Sequence, residues 1–115
     1  MSASSNPQLN GVVPIIPTPF REDESIDLDG VAACLEFAVR CQVRAVCLPA
    51  YASEFYKLTE EERRQVVETA IQSAGGRVAV IAQSNHPSAR CAAQLAAAHE
   101  KMGADLISFA IPRIF

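Results

Sequence analysis

Residues 78–82 read Val-Ala-Val-Ile-Ala, an apolar run of a length that suits one strand. A short run without polar alternation is typical of a parallel strand that is covered on both faces. The pair Gly75-Gly76 stops a helix-like segment just before the run, and another helix-like segment follows it. The order of helix, buried strand and helix predicts an α/β fold built on a parallel sheet.

The same strand and helix rhythm extends over the rest of the chain. Three further strand-like runs lie at residues 12–16, 44–48 and 105–112, so that the four runs begin about 30 residues apart. Eight such units would need roughly 250 residues, the usual length of a (β/α)8 barrel. We therefore predict the N-terminal part of a (β/α)8 TIM barrel, with about four strands and three helices.

Helix boundaries follow from capping residues. Asp27 is expected to cap the first helix, and Thr59 with Glu62 forms a capping-box pattern ahead of the second. Pro87 is expected to open the third helix in its first turn, and Gly103 to end it.

The domain prediction has two parts. Residues 1–10 are expected to be a disordered lead-in, and residues 11–115 a partial barrel domain that is truncated after its fourth strand. A small doubly wound ligand-binding domain is an alternative for the same pattern. The first turn, residues 17–20, reads Pro-Thr-Pro-Phe and has no glycine with which to cradle a phosphate, so the barrel is favoured.

Composition excludes several classes of protein. The 115 residues carry a net charge of -3, which gives no basic footprint for nucleic acid or an anionic membrane. No apolar run is long enough for a membrane span, and the polar start lacks a signal peptide, so we expect a cytoplasmic protein. The four cysteines form no C-x-x-C pair, so neither a metal nor another cofactor is predicted; Cys34 and Cys47 are expected to be buried thiols.

Short motifs in a fixed order resemble a known family. The chain resembles the dihydrodipicolinate synthase and N-acetylneuraminate lyase family over about residues 11 to 115. The matching stretches are Thr18-Pro19-Phe20, Ile26-Asp27, Glu54 with Leu58 four residues later, the strand 77–82, and Gly103-Ala104-Asp105.

The resemblance implies a barrel that acts on α-keto acids through a lysine Schiff base. In the family that lysine lies on the sixth strand, so no catalytic residue is expected in this chain. Its only lysines, Lys57 and Lys101, are expected to be solvated. We therefore expect the chain alone to be catalytically silent.

The loop after the second predicted strand holds the substrate carboxylate in the family, where it reads Gly-Thr-Thr-Gly-Glu. By resemblance, the substrate-binding residues here are Tyr51, Ala52, Ser53 and Glu54. Arg113 and Ile114, at the end of the fourth strand, are possible pocket residues.

Two departures from the family pattern favour one of its branches. The sequence Glu54-Phe55-Tyr56 and the aliphatic Ile114 are closer to the keto-deoxy sugar acid dehydratases. The partner implied is a small α-keto acid. A non-catalytic oligomerising or interaction module is the alternative from another class, and exposed strand edges predict a homo-oligomer.

Several polar residues have two interpretations. Glu54 either lines a pocket or holds the loop through backbone amides, and Tyr51 is either a site residue or an interfacial aromatic. His86 is interpreted as a loop residue and His99 as solvent-facing. The charged run 60–64 is interpreted as a helix start without a ligand.

Overall fold

Helices and parallel strands alternate along the chain. The computed structural model describes residues 9–111. The strands form one parallel sheet in the order β1-β2-β3. The elements are α1 (Leu28–Arg40), β1 (Ala45–Leu48), a 3-10 turn (Phe55–Lys57), α2 (Glu60–Ala74), β2 (Ala79–Gln83), α3 (Ala89–Met102) and β3 (Leu106–Ser108).

The run 12–16 is a strand only in a minimal sense. It joins β1 through one parallel bridge between Ile15 and Cys47, with the Ile16 amide 3.0 Å from the Cys47 carbonyl oxygen. Pro14 and Pro17 flank this bridge, and neither has an N–H to extend the ladder. The first of the four predicted strands is therefore shortened by its own prolines.

The predicted capping residues are confirmed for α1 and α2. The Asp27 carboxylate accepts from the Gly30 amide, and both bonds of the Thr59–Glu62 capping box are present. Gly103 ends α3 with a φ of 107°, which favours glycine.

The predicted opening of α3 by Pro87 is wrong. The helix begins at Ala89, and the Ser88 hydroxyl caps it by accepting a hydrogen bond from the Cys91 amide at 3.3 Å. Because the serine satisfies that amide, the proline lies one residue before the cap instead of inside the first turn.

All three helices cover the same face of the sheet. The main apolar cluster joins α1 and α2 to alternate strand residues, namely Val31, Leu35, Val66, Ala70, Val46, Leu48 and Val80. Ser84 follows Val80 by four residues, so its side chain lies on the same face of the sheet, where it bonds to His99 of α3. A smaller cluster on the opposite face is built without helix residues from Ala45, Cys47, Ala50 and Ile81. One helix layer over sequentially ordered strands is a barrel segment, and it excludes the doubly wound alternative, which needs helices on both faces.

Candidate functional site at the carboxyl ends of the strands

A tight turn follows β1 at residues 50–53. The Ser53 amide donates to the Ala50 carbonyl at 3.0 Å, and the Ser53 hydroxyl accepts from the Ala50 amide at 3.0 Å. Among residues 9–111, the backbone N–H groups of Tyr51 and Ala52 have no hydrogen-bond partner, and both residues are exposed. Successive free amides in a turn are a known type of anion-binding group.

Ser53 attaches this turn to the preceding strand. Its side chain is buried, and its hydroxyl donates to the Ile16 carbonyl oxygen. The Thr18 hydroxyl donates to the Ser53 carbonyl oxygen at 2.8 Å. The turn is therefore fixed to residues 16–18 by two hydrogen bonds from side-chain hydroxyls.

Glu54 adopts an arrangement that neither interpretation of it expected. Its backbone is left-handed, with a φ of 60°, and its carboxylate forms an exposed ion pair with the Lys57 ammonium at 3.1 Å. This carboxylate raises the pKa of Lys57, first through the hydrogen bond and then through its charge. Lys57 and Lys101 are exposed, as expected.

Tyr51 lines an open groove of about 870 Å³. Its ring is tilted against that of Phe55, with 5.0 Å between the centroids. The groove lies between the loops that follow β1, β2 and β3, the end of the sheet where barrels place their sites. Its lining includes Tyr51, Phe55, Tyr56, Arg63, Asn85 and His86.

Arg63 is a buried cation at this end, and the sequence reasoning missed it. Its side chain donates to the Asn85 carbonyl oxygen at 2.7 Å and to the Gln83 carbonyl oxygen at 3.1 Å. The guanidinium carbon also lies 4.8 Å from the centre of the Phe55 ring. Burial lowers the pKa of Arg63, but a guanidinium keeps its charge. Arg63 therefore links the first turn of α2 to the end of β2.

Asn85 continues the connection toward β3. Its side-chain oxygen accepts a hydrogen bond from the Ala110 amide at 2.6 Å. Together, Ser53, Arg63 and Asn85 connect the carboxyl ends of all four parallel segments, and we call these three residues the rim network.

The prediction for His99 is wrong. It is fully buried, and its Nδ1 lies 3.0 Å from the Ser84 hydroxyl oxygen. Burial, with smaller contributions from Arg63 and Arg64, lowers the pKa of His99 to about 4. The imidazole is therefore neutral in the folded chain, as expected for a histidine in a packed helix interface.

The two remaining predicted pocket residues, Arg113 and Ile114, lie outside the residues that the structure describes. So does most of the predicted lead-in, residues 1–10. Within residues 9–111, no cluster of three or more metal-ligating side chains occurs, and no helix is long and apolar enough to cross a membrane. Cys47 is buried, as predicted, and Cys34 is half-buried.

Sequential parallel strands under one helix layer, with polar loops at their carboxyl ends, define the N-terminal part of a (β/α)8 barrel. The sequence profile described as the Dihydrodipicolinate synthetase family matches residues 8–113, and the chain belongs to this family.

Two sugar acid dehydratases are among the relatives that are similar to the chain. L-2-keto-3-deoxyarabonate dehydratase of Azospirillum brasilense is 28% identical over 107 residues, which are 93% of this chain and 35% of that protein. A probable 5-dehydro-4-deoxyglucarate dehydratase of Streptomyces avermitilis is 39% identical over 97 residues, which are 84% of this chain and 29% of that protein.

Solved structures show the same architecture. Dihydrodipicolinate synthase from Aquifex aeolicus superposes with a TM-score of 0.82 at 30% identity, covering 89% of this chain and 35% of that one. N-acetylneuraminate lyase from Mycoplasma synoviae superposes with a TM-score of 0.86 at 26% identity, covering 93% and 38%. The chain thus spans about a third of the length of the relatives it matches.

Proposed function

We propose that residues 50–54 form the carboxylate-binding wall of a lyase-type barrel that acts on an α-keto acid. The observation that carries this proposal is the pair of unpartnered amides at Tyr51 and Ala52, within the described part of the chain. An anion receives two hydrogen bonds there without displacing any bond of the fold. Tyr51 also contributes its side chain to the lining of the groove.

The substrate class follows from the relatives and the loop. Two similar proteins are named as dehydratases of keto-deoxy or dehydro-deoxy sugar acids, which favours a sugar-derived keto acid over a condensation of pyruvate with an aldehyde. The sequence Glu54-Phe55-Tyr56 agrees with that branch by resemblance.

The test is a titration with pyruvate, the smallest α-keto acid, monitored by amide NMR. We expect saturable shifts of the Tyr51 and Ala52 amide signals. Pyruvamide, which replaces the carboxylate by a neutral amide, is the control and is expected to leave both signals in place. Absence of shifts with pyruvate and with a keto-deoxy sugar acid contradicts the proposal.

Schiff-base chemistry belongs to the proposed whole enzyme and not to this chain alone. A nucleophilic lysine needs a lowered pKa, whereas Glu54 raises that of Lys57, and Lys101 is exposed on α3. Treatment with borohydride in the presence of pyruvate should therefore leave the mass of the chain unchanged. A reduced adduct on either lysine would overturn this part of the proposal.

A homo-oligomer is the second proposal, and exposed apolar side chains favour it. Ile15, Phe37, Phe109 and Ile111 are between 41% and 88% exposed, and within residues 9–111 the outer edge of β3 has no neighbouring strand. Such edges pair readily with another copy. Sedimentation at micromolar concentration should give a species larger than the 12.4 kDa chain, and a monomer would contradict it.

The cytoplasm is the proposed location. The four cysteines are unpaired thiols, which agrees with a reducing compartment.

A further inference from the structure

Ser53 uses its hydroxyl as donor and acceptor at the same time. The hydroxyl accepts from the Ala50 amide and donates to the Ile16 carbonyl oxygen, and the side chain is only 1% exposed. A serine at a turn usually bonds locally and stays near solvent. Here one buried hydroxyl closes the turn and joins it to another segment, 37 residues away in sequence.

This arrangement decides which amides of the loop are free. The Ala50 amide is taken by the Ser53 hydroxyl, and the Ser53 and Phe55 amides are taken by the Ala50 carbonyl. The Tyr51 and Ala52 amides, between them, have no partner among residues 9–111. If the Ala50 amide were released, the turn would lose the bond that fixes its first residue.

We propose that Ser53 is a positioning residue, which holds the Tyr51 and Ala52 amides in the geometry that receives a carboxylate. This inference rests on the proposed carboxylate site, and it assigns Ser53 to positioning the amides and not to contacting the substrate. The buried hydroxyl does not touch the ligand, and it acts through the backbone of the turn. Small displacements of preorganised donors have large effects on binding.

The experiment compares Ser53→Ala with Ser88→Ala. Ser88→Ala makes the same chemical change and loses one hydrogen bond from a backbone amide, at the exposed cap of α3 and outside the turn. Ser53→Ala loses such a bond too, and in addition the bond to the Ile16 carbonyl oxygen. Pyruvate affinity is measured from the Tyr51 and Ala52 amide signals, and hydrogen exchange of the Ala50 amide is measured without ligand.

We expect Ser53→Ala to weaken pyruvate binding about tenfold and to accelerate exchange of the Ala50 amide. Ser88→Ala should change neither, although both variants are expected to lose stability. Equal pyruvate affinity in wild type and Ser53→Ala would overturn the inference, because a merely structural serine lowers stability without moving affinity.

Two further outcomes are distinguishable. If no keto acid shifts the Tyr51 and Ala52 amide signals of the wild type, the proposed carboxylate site itself is contradicted. If Ser53→Ala does not fold, the wild type is tested by itself. If the Ala50–Ser53 hydrogen bond favours pyruvate binding, pyruvate binding must favour that bond equally, so bound pyruvate should slow exchange of the Ala50 amide. An unchanged Ala50 exchange rate at saturating pyruvate would overturn the inference.

Discussion

The two ends of the sheet are held in different ways. At the carboxyl end, the rim network uses buried side chains that bond to backbone groups of neighbouring loops. At the amino end, Arg77 and Glu36 form an exposed ion pair at 2.7 Å, and the Asp105 carboxylate accepts from the Val80 amide at 2.9 Å. Loss of a hydrogen bond of the buried rim network should lower the free energy of unfolding strongly, because it leaves buried polar groups without a partner. Loss of the exposed ion pair should lower it little, because water screens the two charges.

This difference matters for function. A loop that must present free amides to a ligand cannot satisfy them itself, so its remaining groups have to fix its shape. The buried hydrogen bonds of Ser53 do this at the turn, while Arg63 and Asn85 fix the neighbouring loops. The amino end of the sheet is held by the exposed Arg77–Glu36 pair and by the Asp105 carboxylate, which bonds to the buried Val80.

The largest effect is expected from Arg63→Met. The change leaves the Gln83 and Asn85 carbonyl oxygens without their buried donor, but it also removes the desolvation cost of a buried guanidinium. The free energy of unfolding should fall by roughly 2–4 kcal/mol once both effects are counted. Arg64→Met is the matched control, because its exposed side chain makes only a 3.9 Å pair with Glu61. Urea unfolding measures the free energy of unfolding of both variants. Similar losses for Arg63→Met and Arg64→Met would show that the buried bonds of Arg63 contribute no more than an exposed ion pair.

Burial of His99 is expected to make the free energy of unfolding decrease in acid. Because its pKa is lowered from 6.5 to about 4 in the folded chain, the unfolded chain binds a proton more readily. Stability should therefore be complete above pH 6.5 and fall as the pH drops toward 4, by an amount on the order of 3 kcal/mol.

The pH dependence is isolated by comparing wild type with His99→Gln in urea at several pH values. The wild type should lose more stability than the variant between pH 6.5 and 4, since carboxylates titrate equally in both. Parallel pH curves for wild type and His99→Gln would refute the assignment.

The smallest effect is expected at the amino end. Glu36→Gln removes the charge that pairs with Arg77, and it leaves the Arg77 bonds to the Ser73 and Ala74 carbonyl oxygens in place. The pKa of Glu36 is lowered chiefly by the Arg77 hydrogen bond. Because both side chains are about half exposed, the free energy of unfolding should change little, as expected for a solvent-screened surface ion pair. A loss as large as that of Arg63→Met would remove the contrast between the two ends.

The sequence predicted the fold better than it predicted the rim network. Periodicity and caps located the helices, because each depends on residues close in sequence. Arg63 was interpreted only as part of a charged helix start without a ligand. Its spacing of three, four and seven residues from Val66, Val67 and Ala70 nevertheless places it on the buried stripe. Likewise, His99 follows buried Leu95 by four residues.

The bonds of Ser53 and Asn85 have no comparable signal in the sequence. Ser53 bonds to Ile16, 37 residues earlier, and Asn85 to Ala110, 25 residues later. These pairs exist only because parallel strands bring their carboxyl ends together. The loop was singled out through resemblance alone, and the free amides become visible only once every other amide of the turn is assigned.

Native-state hydrogen exchange of four amides tests the central claim most directly. The Ala50 and Ala110 amides, which Ser53 and Asn85 hold, should exchange far more slowly than an unstructured chain. The Tyr51 and Ala52 amides should exchange close to the unstructured rate, because they are exposed and unpartnered within residues 9–111. Protection of Tyr51 and Ala52 equal to that of Ala50 would contradict the account, since the turn would then offer no donor to a carboxylate.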